Sequence, residues 1–314
     1  MVSVLLAKKI TELFAFILLG FLMVRTHLLK SEDSAVVTKL CIYLMTPAII
    51  INAFQIEANG EIIKGLVLAF INAIFIHVIC IGLAYLYGKI SNATEVEKAS
   101  VVYSNGGNLV VPIVGAVLGE EWVIFSAAFV AVFNVFVWTH GRSVFAKEDG
   151  IPWKKILLNV NILSIGVGIL MLICNFRFTG VAEGVISSLA DMVGPCSMII
   201  VGMILGGMKI KEIFSNTRVW SVIFMRLIIC PLVILFIMAV VPIDAWVPNG
   251  KTIMLVSFFA ACAPCAATIN QFAILYKKDA KYASAINVLS TLLCIITMPI
   301  MVYFFQAIVG KVNF

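Results

Sequence analysis

Charged side chains are scarce in this chain of 314 residues: Lys, Arg, Asp and Glu make up 12% of it, whereas 62% of the residues are hydrophobic. Soluble globular domains carry about 25% charged and roughly 45–50% apolar residues. The shortage of charge argues against a soluble domain, a soluble two-domain enzyme and a disordered chain. A polytopic membrane protein is the class that remains.

The sequence also lacks the motifs of enzyme and nucleic-acid chemistry. It contains no His-Glu-x-x-His motif, no phosphate loop and no Gly-x-Ser-x-Gly, and its three histidines are too scattered to predict a metal site. The net charge of +6 is not concentrated in a basic cluster interleaved with aromatic residues. We therefore expect a protein that is not an enzyme and has no cofactor, no metal site and no nucleic-acid partner.

A disulfide framework is not expected either, because all eight cysteines lie within apolar stretches. The segment Cys262-Ala-Pro-Cys265 has the spacing of a redox motif. A thioredoxin-like site requires a soluble βαβ unit, however, and the sequence predicts none. Packing as buried free thiols is the favoured interpretation.

Long apolar runs are abundant, and ten of them approach the length of about 20 residues that a bilayer-spanning helix needs. Short loops join the runs, and no soluble domain is inserted between them. We predict an all-α polytopic membrane protein with ten transmembrane helices. The predicted helices cover residues 5–24, 36–54, 62–87, 101–118, 123–139, 156–174, 185–206, 220–241, 253–276 and 283–308.

The distribution of basic residues predicts the orientation of these helices. If the N-terminus lies outside, 15 of the 22 Lys and Arg residues fall in inside loops and six in outside loops, with Arg226 inside a helix. Inside loops of membrane proteins are enriched in Lys and Arg. We expect a multi-pass protein of the cell (plasma) membrane with the N-terminus and the C-terminus outside, as an even number of helices requires.

Five predicted helices precede the middle loop 141–155 and five follow it, so the second five start on the opposite side of the membrane. This is the geometry of an inverted repeat, here over residues 1–144 and 150–314. Internal similarity agrees, because the second helix of each half carries Pro47 or Pro195 and the fourth carries Pro112 or Pro264. Pro47 and Pro112 are 65 residues apart in the first half, and Pro195 and Pro264 are 69 residues apart in the second.

Residues that break helices interrupt the fourth helix of each half. The two stretches read Ser104-Asn105-Gly106-Gly107-Asn108-Leu-Val-Val-Pro112 and Ala263-Pro264-Cys-Ala-Ala-Thr268-Ile-Asn270-Gln271. Glycine is unfavourable in a helix by roughly 1 kcal/mol and proline by about 3 kcal/mol relative to alanine, and lipid cannot satisfy the freed backbone groups. Two ordinary proline kinks are the alternative, but the matched positions favour two unwound segments at a transporter site.

At these residues the chain resembles the auxin efflux carrier family, including its bacterial malate and malonate permease branch, over essentially its whole length. The matching stretches are Tyr43-Leu-Met-Thr-Pro47-Ala, Ser104-Asn105-Gly106-Gly107-Asn108 through Pro112, Gly194-Pro195 with 202–207, Arg226-Leu-Ile-Ile-Cys-Pro231, and Ala263-Pro264 through Ser290-Thr291-Leu-Leu and Pro299. Plant auxin carriers have Asn-Pro-Asn-Thr-Tyr where this chain has Asn105-Gly-Gly-Asn108, and this chain has no long central hydrophilic loop. Both departures argue against auxin itself as the substrate.

The resemblance implies an inverted 5+5 repeat whose broken helices 4 and 9 cross, as in sodium/proton antiporters and bile-acid symporters. It further implies one transmembrane domain over residues 1–314, divided into a scaffold of helices 1, 2, 6 and 7 and a moving transport bundle of helices 3–5 and 8–10. Homodimers are usual in that group of folds.

Half-helices that begin after Asn108 and after Pro264 would present free N–H groups with a partial positive charge, which bind carboxylates without a full cation. An alternative is that the polar side chains there only satisfy the broken backbone. The candidate substrate-binding residues are Ser104, Asn105, Gly106, Gly107, Asn108, Pro112, Pro264, Thr268, Asn270, Gln271 and Arg226.

Three ionisable residues at predicted membrane depth have two interpretations each. Arg226 lies roughly 10 Å from the inner end of its helix at 1.5 Å per residue, where it would either attract a carboxylate or snorkel to the cytoplasmic interface. Asp191 and His77 are candidates for carrying a coupling proton. The alternatives are a headgroup position for Asp191 and a packing role for His77.

These patterns lead to one prediction of function. The chain is expected to be a secondary active transporter of small organic anions, such as the dicarboxylates malate and malonate, with alternating access at the crossing of helices 4 and 9. Protons are the first choice of coupling ion. Two alternatives stay open: a sodium-coupled symporter of the same group of folds, and a metabolite channel or sensor that does not concentrate its ligand.

Overall fold

The computed structural model describes residues 2–57, 59–146, 153–208, 216–241 and 243–310, and within these ranges it is helical without a β-strand. Ten helical segments follow the order of the predicted ones, and two of them are divided into halves a and b. The segments are α1 (Val2–Arg25), α2 (Ser31–Ala53), α3 (Gly60–Ser91), α4a (Glu95–Val102), α4b (Gly106–Leu118), α5 (Glu120–Phe145), α6 (Val160–Ile173), α7 (Val181–Gly207), α8 (Thr217–Val240), α9a (Gly250–Cys262), α9b (Ala267–Leu275) and α10 (Ala280–Ile308).

Six of the described segments are long and apolar enough to cross a membrane: α2, α3, α5, α7, α8 and α10. The prediction of an all-helical polytopic membrane protein is confirmed at this level. The sixth predicted helix, 156–174, is wrong in being continuous. A short helix ends at Leu157 and α6 restarts at Val160, where the Asn159 side chain caps it by accepting a hydrogen bond of 2.9 Å from the Asn161 N–H.

The fourth helix starts six residues earlier than predicted, at Glu95, because a capping box fixes its first turn. The Thr94 N–H donates to the Glu97 carboxylate at 2.6 Å, and the Glu97 N–H donates to the Thr94 hydroxyl at 3.3 Å. This first turn contains charged residues, so a search for apolar runs does not detect it. The hydropathy pattern therefore found only the part of the helix from residue 101 onward.

The Glu97 carboxylate is buried and ties three helices together. Arg218 of α8 donates from Nε and Nη2 to its two oxygens at 2.8 and 2.9 Å, and the Tyr282 hydroxyl of α10 donates at 2.8 Å. Burial raises the pKa of this carboxyl, but the hydrogen bonds from Arg218, Thr94 and Tyr282 outweigh burial, and the pKa lies below its usual range. The ends of α4a, α8 and α10 are thus joined as one unit.

Helices α1 and α7 pack backbone against backbone through glycines. A Cβ on Gly202 would collide with the Ile17 carbonyl, and one on Gly20 would collide with the Ile199 carbonyl. The pair Gly202 and Gly206 thus permits close packing of α7 on α1. Gly119 has φ of +114° and ends α4b.

The remaining contacts lie both within and between the two predicted groups of helices. Helix α3 packs against α4a, α5 and α9a, and α10 packs against α9a. Helix α2 packs against α6 and α7, while α1 reaches α4b and α10 in addition to α7. The division into a scaffold and a transport bundle is compatible with these contacts and stays a prediction.

Three wide π-helical turns precede prolines by two residues. They are Cys41–Met45 before Pro47, Gly106–Val110 before Pro112, and Met225–Ile229 before Pro231. A proline has no N–H and its ring clashes with the carbonyl four residues earlier. In each case that carbonyl lies in the π-helical turn, so the widened turn lets the helix continue through the proline.

Candidate functional site

The two interruptions cross each other and pair as short antiparallel segments. The Asn105 N–H donates to the Pro264 carbonyl at 2.8 Å, and the Ala266 N–H donates to the Tyr103 carbonyl at 2.9 Å, with Ser104 opposite Cys265. The backbone groups freed by one break therefore satisfy those freed by the other. This mutual pairing explains how two non-helical segments can exist inside an apolar bundle.

Helical structure resumes sooner after the first break than the sequence predicts. Helix α4b begins at Gly106, so Gly107 and Asn108 lie in its first, π-helical turn, and Pro112 lies within the helix. The expectation that this half-helix starts after Asn108 is wrong. After the second break α9b begins at Ala267, and it carries Thr268, Asn270 and Gln271 in its first turns.

Arg226 lies at the crossing, with 1% of its surface exposed. Its guanidinium donates to the carbonyls that end both a-halves, at distances between 2.7 and 3.4 Å. The acceptors are Val101 and Val102 of α4a, Ala260 and Ala261 of α9a, and Ala263 of the second break. The positive charge thus faces the negative ends of two helix dipoles.

This position differs from both sequence-based interpretations of Arg226. Snorkelling to the interface is excluded by its burial, and its N–H groups are engaged by backbone carbonyls. Its described role is to cap α4a and α9a. A bound anion would have to displace existing hydrogen bonds in order to contact it directly.

The second break receives additional support from α10. The Asn287 amide donates to the Cys265 carbonyl at 2.6 Å, and the Cys265 N–H donates to the Ser290 hydroxyl at 3.1 Å. The Ser290 hydroxyl in turn donates to the Asn287 carbonyl at 2.9 Å. Both backbone groups of Cys265 are satisfied in this way, which makes the second break a closed structural element.

The first break is less complete. The Ser104 hydroxyl is buried, with 2% of the residue exposed, and has no hydrogen-bond partner among the described residues. Asn105, Gly107 and Asn108 are half-buried, and Asn105 does not use its side chain to cap α4b. The N–H groups at the start of α4b are therefore available to a ligand.

This break also faces α2 and α7. The Thr46 hydroxyl of α2 lies 3.4 Å from Asn108 Oδ1, and a Cβ on Gly194 of α7 would lie 3.1 Å from the Pro112 ring. Among the candidate residues, Asn108 and Pro112 thus lie where α4b meets α2 and α7.

The candidate residues after the second break differ in their surroundings. Thr268 and Asn270 are half-buried, and Asn270 Oδ1 is a buried atom without a partner among the described residues. Gln271 is exposed. Helix α9b has no polar residue at its N-cap, which is Ala266. Two uncapped helix N-termini therefore begin at the crossing, which gives the site a positive potential that suits an anion.

The two candidates for proton coupling lie in contrasting places. His77 is buried, its Nδ1 lies 2.7 Å from the Ala73 carbonyl, and its ring stacks on Phe136 at 5.1 Å between centroids. These contacts are those of a packed residue. Asp191 is exposed on α7.

Two side chains near the crossing were not found from the sequence. Tyr103 ends α4a and is fully buried, and its hydroxyl donates to the Phe136 carbonyl at 2.8 Å. His140 Nδ1 lies 2.9 Å from the same hydroxyl. The only signal for Tyr103 is its position next to Ser104, and His140 has none, because a contact across 37 residues leaves no local pattern.

The sequence of the chain also matches a known protein family. A family model described as a membrane transport protein matches residues 5–151 and 149–302, which together cover most of the chain. No curated protein matches the chain.

Proposed function

Because the chain belongs to this membrane transport protein family, the auxin efflux carrier family, we propose that it is a secondary active transporter of small organic anions. The substrate is a dicarboxylate such as malate or malonate, and protons drive its accumulation. The protein works in the cell membrane as a homodimer with both termini outside.

One observation supports an anion at this site above all others. Two half-helices begin at the crossing without a side-chain cap, next to the buried Ser104 hydroxyl that has no partner. Helix N-termini carry the equivalent of roughly half a positive charge each and bind carboxylates. Arg226 already balances the opposite helix ends, so the positive potential of the N-termini is left for the substrate.

The polar residues around the break suit the ends of a short dicarboxylate. Asn105 and Asn108 offer amide donors at the first half-helix, and Thr268 and Asn270 offer a hydroxyl and an amide at the second. Neutral donors fix the orientation of a ligand that the helix ends attract. Pro112 and Pro264 act on the backbone, and Gly106 lets the break approach the Phe129 ring.

Alternating access requires that the crossing move relative to other helices, and the structure has suitable contacts for this. Asn108 and Pro112 meet α2 and α7 through side chains, whereas glycines bring the backbones of α1 and α7 into direct contact. In the proposed mechanism the group α3–α5 and α8–α10 moves against α1, α2, α6 and α7 and carries the site with it.

Uptake by purified protein in liposomes tests the proposal. Radiolabelled malate and malonate would be offered with and without an imposed pH gradient at zero membrane potential. We expect accumulation only with the gradient. Asn105→Ala should reduce it at least about tenfold, the equivalent of roughly 1.4 kcal/mol, while Asn134→Ala should not, because the Asn134 amide bonds only to Val130 of its own helix.

Other outcomes separate the alternatives. Accumulation driven by sodium instead of protons would replace the coupling ion and keep the site. Equilibration without accumulation would favour a channel. No flux of either acid into liposomes that contain folded protein would remove dicarboxylates as the substrate class.

A further inference from the structure

A histidine near the end of α5 contacts the crossing through one tyrosine. His140 lies in the π-helical turn Val137–Gly141 and is half-buried, and its Nδ1 is 2.9 Å from the Tyr103 hydroxyl. Gly141 makes the approach possible, because a Cβ there would lie 3.0 Å from the Tyr103 ring. Wide turns of this kind are rare and occur frequently at functional sites.

The hydrogen bonds of the Tyr103 hydroxyl have two possible directions. The hydroxyl has one proton, and both the Phe136 carbonyl at 2.8 Å and His140 Nδ1 at 2.9 Å are within reach. A carbonyl only accepts. If Nδ1 carries a proton, it donates to the tyrosine oxygen and the hydroxyl donates to Phe136. If Nδ1 is unprotonated, the hydroxyl can donate to the histidine instead.

A doubly protonated imidazolium permits only the first arrangement, because both of its nitrogens are donors. A neutral ring with its proton on Nε2 permits only a bond from Tyr103 to Nδ1. Transfer of a proton from hydronium to the Nδ1 lone pair of that neutral ring, which leaves water behind, therefore reverses one hydrogen bond and breaks no covalent bond of the protein. The Thr139 hydroxyl lies 3.3 Å from the Phe136 carbonyl but donates to the Val135 carbonyl at 2.7 Å, so Tyr103 is the nearer donor to Phe136 in the first arrangement.

Tyr103 connects this pair to the candidate site. The same residue that holds His140 through its side chain accepts the Ala266 N–H through its carbonyl, next to Ser104. A change in the position of its ring therefore acts on the backbone between the two half-helices. No other described histidine has such a connection, since His77 is bonded to its own helix at Ala73.

Charged and titratable groups on the neighbouring helices define the surroundings of His140. Tyr103 faces it from α4a, and His77 of α3 lies beyond Tyr103, with ring centroids 6.3 Å apart. Arg142 follows on the same helix and donates to the Tyr276 hydroxyl of α9b at 3.2 Å. None of these groups is a carboxylate, so the imidazolium would depend on the solvent and on Tyr103.

We propose that His140 is the proton-coupling residue of transport and that Tyr103 is the positioning residue that links its protonation to the crossing. This inference rests on the proposed function, because it names the residue for the proton that drives uptake. It also replaces both His77 and Asp191 in that role.

Transport measurements test the coupling. His140→Gln should keep exchange of labelled for unlabelled malonate within about twofold of wild type while it loses accumulation driven by the pH gradient. His77→Gln and His27→Asn should keep that accumulation; Asn suits the positive φ of 60° at position 27. Accumulation that persists in His140→Gln, or is lost only in His77→Gln, overturns the assignment.

A measurement without substrate tests the switch itself. The chain has three histidines, so imidazole ¹⁵N labelling gives three pairs of side-chain signals, which the variants above assign. We expect the His140 signals to change with pH and the midpoint of that change to move in Tyr103→Phe. A His140 whose signals do not change with pH in the folded protein, or change identically in both proteins, overturns the proposal.

The two experiments fail in different ways. If wild-type protein moves neither malate nor malonate, the proposed substrate class fails while the titration still decides whether His140 and Tyr103 form a protonation switch. If wild type accumulates malonate without a pH gradient, the coupling proposal is overturned and the anion site is kept.

Discussion

At the second helix break both backbone groups of Cys265 are hydrogen-bonded to side chains of α10: its N–H donates to Ser290 and its carbonyl accepts from Asn287. At the first break the Ser104 hydroxyl has no partner among the described residues. The two segments occupy matching positions in the chain and pair with each other, yet the residue that pairs across the crossing is fully hydrogen-bonded at Cys265 and not at Ser104. Buried polar groups are rarely left without partners, because each costs about 1–3 kcal/mol. The difference supports a structural role for the Cys265 backbone and agrees with the binding role proposed for Ser104 and its neighbours.

The residues of the two breaks differ in the same way. The first break is followed by Gly106, where a Cβ would lie 2.6 Å from the Phe129 ring, and by the half-buried Asn108. The second break contains Ala263, Pro264 and Cys265, all buried. The first break thus has a close approach to a neighbouring ring and half-buried polar groups, whereas the second break is buried.

The largest effect on both breaks should come from Arg226→Met, which removes five bonds to backbone carbonyls. Hydrogen bonds to charged groups contribute about 1.5–3 kcal/mol each, so we expect little folded protein or an unfolding midpoint in detergent lower by on the order of 10 °C. Arg25→Met is the control, since the exposed Arg25 makes one such bond, to Met208. An unchanged midpoint in Arg226→Met would show that the carbonyls do not need the cation.

Asn287→Leu should destabilise the second break by about 1–3 kcal/mol, because it leaves the buried Cys265 carbonyl without its donor. Thermal unfolding followed by tryptophan fluorescence measures this. Asn134→Leu is a matched control: Asn134 is equally buried, but its acceptor, the Val130 carbonyl, also lies within a continuous helix. Equal shifts in both variants would contradict a special role for Asn287.

Asn108→Ala should act on binding instead of stability. We expect the KM for malonate to rise by about tenfold, which corresponds to roughly 1.4 kcal/mol, with the unfolding midpoint unchanged. The side chain lies at the first turn of α4b and its one described partner is Thr46, at 3.4 Å. A lower unfolding midpoint with an unchanged KM would show that Asn108 stabilises the fold and does not bind the substrate.

The smallest effect should come from Ser104→Ala. Removal of a hydroxyl without a partner should leave the free energy of unfolding within about 0.5 kcal/mol of wild type, or raise it slightly, while the KM for malonate rises two- to threefold. Ser290→Ala at the second break should lower the free energy of unfolding and leave the KM for malonate unchanged, because the Cys265 N–H loses its acceptor. If both serine variants lose stability alike, the two breaks do not differ as described.

The sequence was informative wherever the signal was local. Apolar runs located the helices, and Gly106, Gly107 and Pro264 marked the two breaks, since these residues are unfavourable in helices whatever surrounds them. Each of these features is a property of a short segment, which is why they could be predicted.

The sequence was uninformative about partners that are distant along the chain. Arg226 was found as a cation inside a helix, but its acceptors lie 34–37 residues ahead on α9a and the second break and 124–125 residues behind on α4a. The pairing of Tyr103 with His140 left no pattern for the same reason. The polar capping box at Thr94 hid the start of α4a from a search that relied on hydropathy.

The π-helical turns before Pro47, Pro112 and Pro231 have a consequence for comparing related sequences. Each turn holds about one residue more than an α-helix would, and one residue turns a helix by about 100° and advances it by 1.5 Å. Deletion of a single residue from Gly106–Val110 would therefore convert the wide turn into an α-helical turn and leave Pro112 facing Gly194. Alignment gaps of one position in these turns would mark homologues that lack the wide turn but keep the later side chains on the same neighbours.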